Sequence, residues 1–315
     1  MFTTPKLKEP ELRMTVEQLN AQFAIPNHLV FVDGKGGIPL AVINNQHATA
    51  TVSLLGGQVL SYQPHGAEPI LWLSDTAYHQ VGKANRGGVP ISWPWFANHA
   101  ADSSKPSHGF LRTKLWTVTT TQVTENGGTR IQLDIVDDEA TRALWPHPFR
   151  AWVEIVLDEK LDVVLTAHNS AEIAVEWGAA LHTYFYVGDV EQIHVSGLDG
   201  VRYVDKVAGG EHGQAGDVRF SAETDRIYLD TIGITTIHDP LLKREIDVAK
   251  LGSATTVVWN PSTTAEKPDL VAGAYRQFVC IEAVKTGRDR AIVQPDAEFS
   301  LGTTISVRPM IAAGG

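Results

Sequence analysis

The stretch Val153-Glu154-Ile155-Val156-Leu157-Asp158-Glu159-Lys160-Leu161-Asp162-Val163-Val164-Leu165-Thr166-Ala167-His168 decides the fold class. Val153, Ile155 and Leu157 alternate with Glu154 and Val156; Leu161, Val163 and Leu165 then alternate with Asp162 and Thr166. Successive side chains of a strand point to opposite faces, so each half reads as a strand with one apolar face. Asp158-Glu159-Lys160 closes the pair as a hairpin.

The same pattern extends outward. Thr129–Val136 sets Ile131, Leu133 and Ile135 against Gln132 and Asp134, and Glu125-Asn126-Gly127-Gly128 joins it to Leu115–Val123. Nearer the N-terminus, the β-rich runs Leu29–Val32, Ile38–Ile43 and Thr49–Leu55 are separated by Gly, Asn and Pro. Helical signals are few. Thr15 and Gln18 fit a capping box ahead of Val16, Leu19 and Phe23, and Asp138–Leu144 and Leu241–Val248 also invite helix assignments. No helix-sized segment alternates regularly with the strands, which argues against parallel βαβ units. Residues 1–28 are expected to form a tail and one short helix, and residues 29–315 a single all-β domain, a large antiparallel β-sandwich.

Composition narrows the partners. An apolar fraction of 43% gives a 315-residue chain ample material for a core. The formal charge of −10 argues against nucleic acid, whose phosphates call for a field of Lys and Arg. One local exception stands out between residues 76 and 124, where Lys83, Arg86, Lys105, Arg112 and Lys114 face only Asp102. That window fits an anionic ligand as well as it fits a solvated surface. Cys280 is the single cysteine, which excludes an intrachain disulfide and is read as excluding a Cys-based zinc site. No apolar leader is visible from Met1 to Leu12, and no run of 18 apolar residues occurs. A cytoplasmic, membrane-free protein, monomeric or weakly dimeric, is expected.

Three segments look chemical. The first is dense in Gly, Pro and aromatics: Arg86-Gly87-Gly88-Val89-Pro90, Ser92-Trp93-Pro94-Trp95-Phe96 and His108-Gly109-Phe110-Leu111-Arg112. Paired glycines allow close backbone approach to a ligand, and Trp rings offer flat faces to a sugar's C–H side. Trp93, Trp95 and Phe96 fit a sugar platform, although each taken alone reads more readily as a core aromatic in a proline-kinked segment. Guanidinium forks match phosphate oxygens, which singles out Arg86 and Arg112, although each could also pair with a carboxylate. The second segment is Leu181-His182-Thr183-Tyr184-Phe185-Tyr186, a His inside an aromatic β run. In the third, Phe278-Val279-Cys280-Ile281-Glu282-Ala283, Glu282 is the one carboxylate of an apolar strand, either a catalytic group or half of an ion pair.

In this order and spacing the three segments resemble the glucose-6-phosphate 1-epimerases, or hexose-6-phosphate mutarotases, of the aldose 1-epimerase superfamily. The likeness covers most of the chain, from Thr51–Gly57 through Leu71–Ser74, Thr224–Tyr228 and Val258–Pro261 to the Glu282 strand. It implies a galactose mutarotase-like sandwich that interconverts the α and β anomers of a hexose 6-phosphate with no metal or cofactor. It further implies His182 as general acid on the ring oxygen and Glu282 as general base on the anomeric hydroxyl, on opposite sides of the ring, His182 protonated and Glu282 anionic. Arg86 and Arg112 match phosphate or sugar ligands, His108 a second pocket His, and Asp205 a hydroxyl acceptor. Ser107 stands where some relatives place Gln, so it would reach the sugar only through water; Trp95 is the expected sugar-stacking ring. Other readings are a mutarotase of unphosphorylated aldoses, a glycoside hydrolase pairing Glu282 with Asp205 or Glu176, and a non-catalytic sugar-binding or sensor protein.

Overall fold

The structure, a computed structural model, describes residues 14–264 and 268–310. The expected tail at residues 1–11 lies outside them. Two eight-stranded antiparallel sheets carry most of the chain, with a four-stranded sheet and a two-stranded pair beside them. The 153–168 hairpin sits near the middle of one large sheet: Phe149–Leu157 pairs with Leu161–Asn169 in continuous register, and its alternation of buried and half-buried residues follows the sequence pattern. Thr129–Val136 and Thr117–Val123 extend that sheet on one side, Glu298–Pro309 and Arg244–Leu251 on the other.

The second large sheet holds the chemical segments. Its order runs Glu211–Gly213, Arg202–Asp205, Thr224–Tyr228, Thr255–Asn260, Phe278–Lys285, Ala179–Leu181, Ile91–Ser92, and Tyr184–Tyr186 also pairs with Phe278–Lys285. The alternation along Phe278–Lys285 divides two environments. Val279, Ile281 and Ala283 enter the main core, whereas Phe278 and Cys280 pack in one smaller cluster and Val284 in another. Glu282 shares the parity of those last three and so faces away from the main core.

Val16–Phe23 is the expected helix, with its Thr15–Gln18 capping box and Leu19 buried. Asp138 caps a second helix, Glu139–Leu144. The third helix assignment is corrected: Leu241–Val248 falls mostly in the strand Arg244–Leu251, where Arg244, Ile246 and Val248 are buried and Glu245 and Asp247 are not. Its pairing on both edges, to Thr235–Asp239 and Glu298–Pro309, outweighs local helix preference. Among the described residues no helix is long and apolar enough to cross a membrane.

Candidate active site

His182 lies in a two-residue break between the strands Ala179–Leu181 and Tyr184–Tyr186, both paired to Phe278–Lys285. Leu181 faces Ala283 and Tyr184 faces Cys280, which leaves His182 and Thr183 opposite Glu282 and Ile281. The His182 amide donates to the Pro90 carbonyl (3.0 Å), fixing the break. His182 Nε2 and Glu282 Oε1 are consequently 3.3 Å apart. The imidazole stacks on Tyr184 (4.9 Å, 14°), with His108 at 5.6 Å and Trp259 at 5.8 Å edge-on.

This corrects the opposed arrangement. The two groups stand side by side, and no sugar fits along the line between them. Adjacent groups can still serve O1 and O5, because both oxygens are bonded to C1. The ionisation is corrected too. Burial, followed by His108, Arg112 and Arg86, holds His182 well below the usual imidazole range. Burial and then Asp225 push Glu282 well above the usual carboxylate range, against a smaller pull from Arg112. Both shifts disfavour the charged forms, and two groups this close titrate as a pair rather than singly.

Glycines place the cations. Arg86 precedes Gly87 and Gly88, and a Cβ on Gly88 would sit 2.1 Å from the Val59 carbonyl oxygen. That close approach lets the Gly88 amide donate to Trp72 O (2.7 Å) and its carbonyl accept from the Tyr184 amide (2.9 Å). Arg86 then donates to the Tyr184 hydroxyl (3.1 Å) and pairs with Asp269 (3.0 Å). His108 and Gly109 both have positive φ, and a Cβ on Gly109 would meet Trp93 O at 1.9 Å. The 108–110 turn is tied to the 93–97 segment by the bonds His108 N to Ala97 O (2.7 Å) and Phe110 N to Trp93 O (3.0 Å). Arg112 follows that turn and donates to the Ser107 carbonyl (2.8 Å). Burial works against its charge, and no carboxylate of the described residues lies within ion-pairing distance.

Burial, then the charges of Arg112, Lys206 and Arg86, bring His108 from 6.5 down to about 3. Between those values the unfolded chain takes up a proton that the folded chain refuses. Stability from this residue is therefore intact above pH 6.5 and drains as the pH falls towards 3. His108→Asn, a residue that tolerates positive φ, is expected to flatten the acid limb of the stability curve by close to one proton's slope, read from urea unfolding over a pH series.

The remaining expected residues divide. Ser107 acts through its carbonyl on Arg112. Trp95 is tied into the neighbouring loop: its indole donates to Pro106 O (2.9 Å) and packs edge-on against His99 and Phe110. The indole against His182 is Trp259 instead. Trp93 is fully buried, which settles it as core. Asp205 Oδ1 accepts from the Val207 and Ala208 amides (2.8 Å each), and its other oxygen lies 3.6 Å from Arg226. Asp225 is better placed. Tyr184, Cys280, Trp259 and Asp225 form one row across four strands, directly opposite one another in register. Asp225 and Trp259 lay in segments that carry the resemblance without being singled out, and Asp269 carried no signal; the row that joins four strands is invisible until register is known.

The cationic window does not converge as a whole. Lys83 lies over Tyr78 (4.5 Å), Lys105 over Trp95 (5.9 Å), and Lys114 approaches Asp138 (3.9 Å), leaving Arg86 and Arg112 for the site. A cavity of about 550 Å³ bounded by Leu19, Trp116 and Ile135 lies away from this cluster. Asp134 and Asp137 on its rim are already paired with Arg150 and Arg142.

Residues 39–306 match the family model described as aldose 1-epimerase. A Salmonella typhimurium protein named "Putative glucose-6-phosphate 1-epimerase" is 38% identical over 78% of this chain and 83% of its own length. An Escherichia coli K12 protein of the same name is 33% identical over 82% and 86%. The crystal structure of "a putative mutarotase (YeaD)" from Salmonella typhimurium superposes with a TM-score of 0.84 at 33% identity, covering 91% of this chain and 96% of that one. Galactose 1-epimerase from Lactobacillus acidophilus NCFM shares the fold, with a TM-score of 0.69 at 12% identity over 91% and 100%. With a family model spanning most of its length and relatives above 30% identity, the chain belongs to the aldose 1-epimerase family of isomerases.

Proposed function

We propose that this isomerase interconverts the α and β anomers of a hexose 6-phosphate, glucose 6-phosphate foremost. The observation that carries the reading is the contact at 3.3 Å between the buried His182 and Glu282, near Arg112, a guanidinium with no carboxylate partner among the described residues. The relatives' names supply the phosphosugar. The chain's own contribution is a cation that burial leaves uncompensated and that a phosphate dianion would relieve.

Anomer exchange removes the O1 proton and protonates O5 as the C1–O5 bond breaks; rotation about C1–C2 and closure on the other face reverse both transfers. A pair holding one proton does this without changing its own proton count. The sugar's O1–H, donated to Glu282, favours the carboxylate. The shared proton passes to His182, which delivers it to O5. Tyr184 stacks behind the imidazole and takes the Arg86 hydrogen bond, which couples the reacting pair to the cations. The site works in the cytoplasm on a freely diffusing sugar, and the protein is a monomer or weak dimer.

Arg112 would hold the phosphate carried on C6, a group whose charge changes little in the transition state. Its interaction counts as uniform binding. Arg112→Ala is expected to raise KM for glucose 6-phosphate by more than it lowers kcat, and to leave turnover of unphosphorylated glucose nearly unchanged. A variant with unchanged KM and a reduced kcat would refute that division, and wild-type saturation by glucose as tight as by glucose 6-phosphate would favour an unphosphorylated aldose.

A further inference from the structure

The proposed proton transfers make no use of Cys280, yet its side chain belongs to the same cluster. It is fully buried, shares the strand face of Glu282, and lies in the row with Tyr184, Trp259 and Asp225. Its Sγ, a His182 ring nitrogen and a Glu282 carboxylate oxygen all fall within 4.8 Å of one another. His182 Nδ1 and Glu282 Oε2 are buried without any hydrogen-bond partner. One imidazole, one thiol and one carboxylate are a donor set for a borderline-soft divalent cation.

We propose that His182, Cys280 and Glu282 form an inhibitory site for a thiophilic divalent cation, zinc above all, occupied in place of the sugar. In tetrahedral zinc sites, Zn–N and Zn–O bonds of about 2.0–2.2 Å set neighbouring N and O ligands about 3.3–3.5 Å apart. Nε2 and Oε1 already stand at 3.3 Å, so only Sγ must close in. Three protein donors leave the fourth position to water. Binding sends the thiol and carboxyl protons to the buffer, and no electron moves. Arg86 is matched by Asp269, and Asp225 faces the same cluster, so Arg112 is the cation that opposes the metal most. This corrects the reading of the single cysteine: it excludes a site of several thiolates and leaves a mixed one open. The competition with sugar rests on the proposed function; the metal site itself does not.

The test titrates cadmium chloride into the substrate-free full-length chain and follows the thiolate-to-cadmium absorption band in the ultraviolet. Because the chain has one cysteine, the band reports Cys280 alone. Saturation at one cadmium per chain, reversal by zinc, and loss of the band in both Cys280→Ala and Cys280→Ser are expected. Losing a residue that merely orients a ligand costs about 10–100-fold in metal affinity, so His182→Asn and Glu282→Gln should each weaken cadmium binding by about tenfold or more. Zinc should inhibit anomer exchange competitively in the wild type and not in Cys280→Ser, each compared with its own zinc-free rate. No band in the wild type, His182→Asn and Glu282→Gln variants that bind like wild type, or a Cys280→Ser enzyme still inhibited by zinc would each overturn the site. Since absorbance needs no substrate, a failure of the mutarotase reading leaves the metal result standing, and the reverse.

Discussion

Glu282→Gln is expected to lower kcat for anomer exchange by about 10²–10⁴-fold, the range for losing a positioned general acid or base. The substitution keeps the side chain's size and removes its capacity to give and take a proton. Glu282 is 1% exposed, with one oxygen against His182 and the other unpartnered. An amide therefore enters without breaking a hydrogen bond, and the fold should survive. Burial pushes the wild-type carboxyl towards its neutral form, which a neutral amide of the same size matches. If the pair works as a unit, His182→Asn should cost a similar factor, and the double variant should cost little more than either single one. A Glu282→Gln enzyme within about threefold of wild type would remove the carboxylate from the mechanism.

Trp93→Ala is expected to destabilise the chain by about 3–5 kcal/mol, the range for emptying a buried aromatic site. The indole is fully buried and touches four rings: Phe149 at 4.6 Å, Trp145 at 5.0 Å, Trp177 at 5.3 Å and Phe110 at 6.0 Å. Its backbone carbonyl also receives the Phe110 amide in the turn that delivers His108 and Arg112. Stability and substrate affinity should then fall together, more in Trp93→Ala than in Trp93→Phe, when urea midpoints and KM are measured side by side. A loss below about 1 kcal/mol would show that the indole is not packed as described.

The sandwich was legible where one face of a strand is core and the other solvent, as in 149–169, because burial imposes period two on the letters. It was illegible in Leu241–Val248, where Leu242 and Ile246 four apart and Leu241 and Val248 seven apart fall at helical spacing and only pairing on two edges decides. The site divides along the same line. His182 and Glu282 stood out as ionisable groups in apolar strands, and Arg86, His108 and Arg112 as polar residues among glycines and aromatics. Distance was not legible: nothing in the letters tells that His182 falls in a pairing gap directly facing Glu282. Asp205 and Asp225 look alike as strand carboxylates. Register separates them, placing one over its own turn and the other opposite Trp259. Trp95 and Trp259 exchange roles for the same reason, since an indole's partner depends on which strand lies beside it.

Two-dimensional exchange NMR on equilibrated glucose 6-phosphate puts the one-proton pair to its most direct test. Net conversion is zero there, and only the anomer exchange rate is read. Cross-peaks between the α and β anomeric protons should grow in proportion to wild-type enzyme, and fall back to the solvent rate with His182→Asn. Exchange no faster than in buffer with folded wild-type protein, or a His182→Asn enzyme that keeps the full rate, would contradict it.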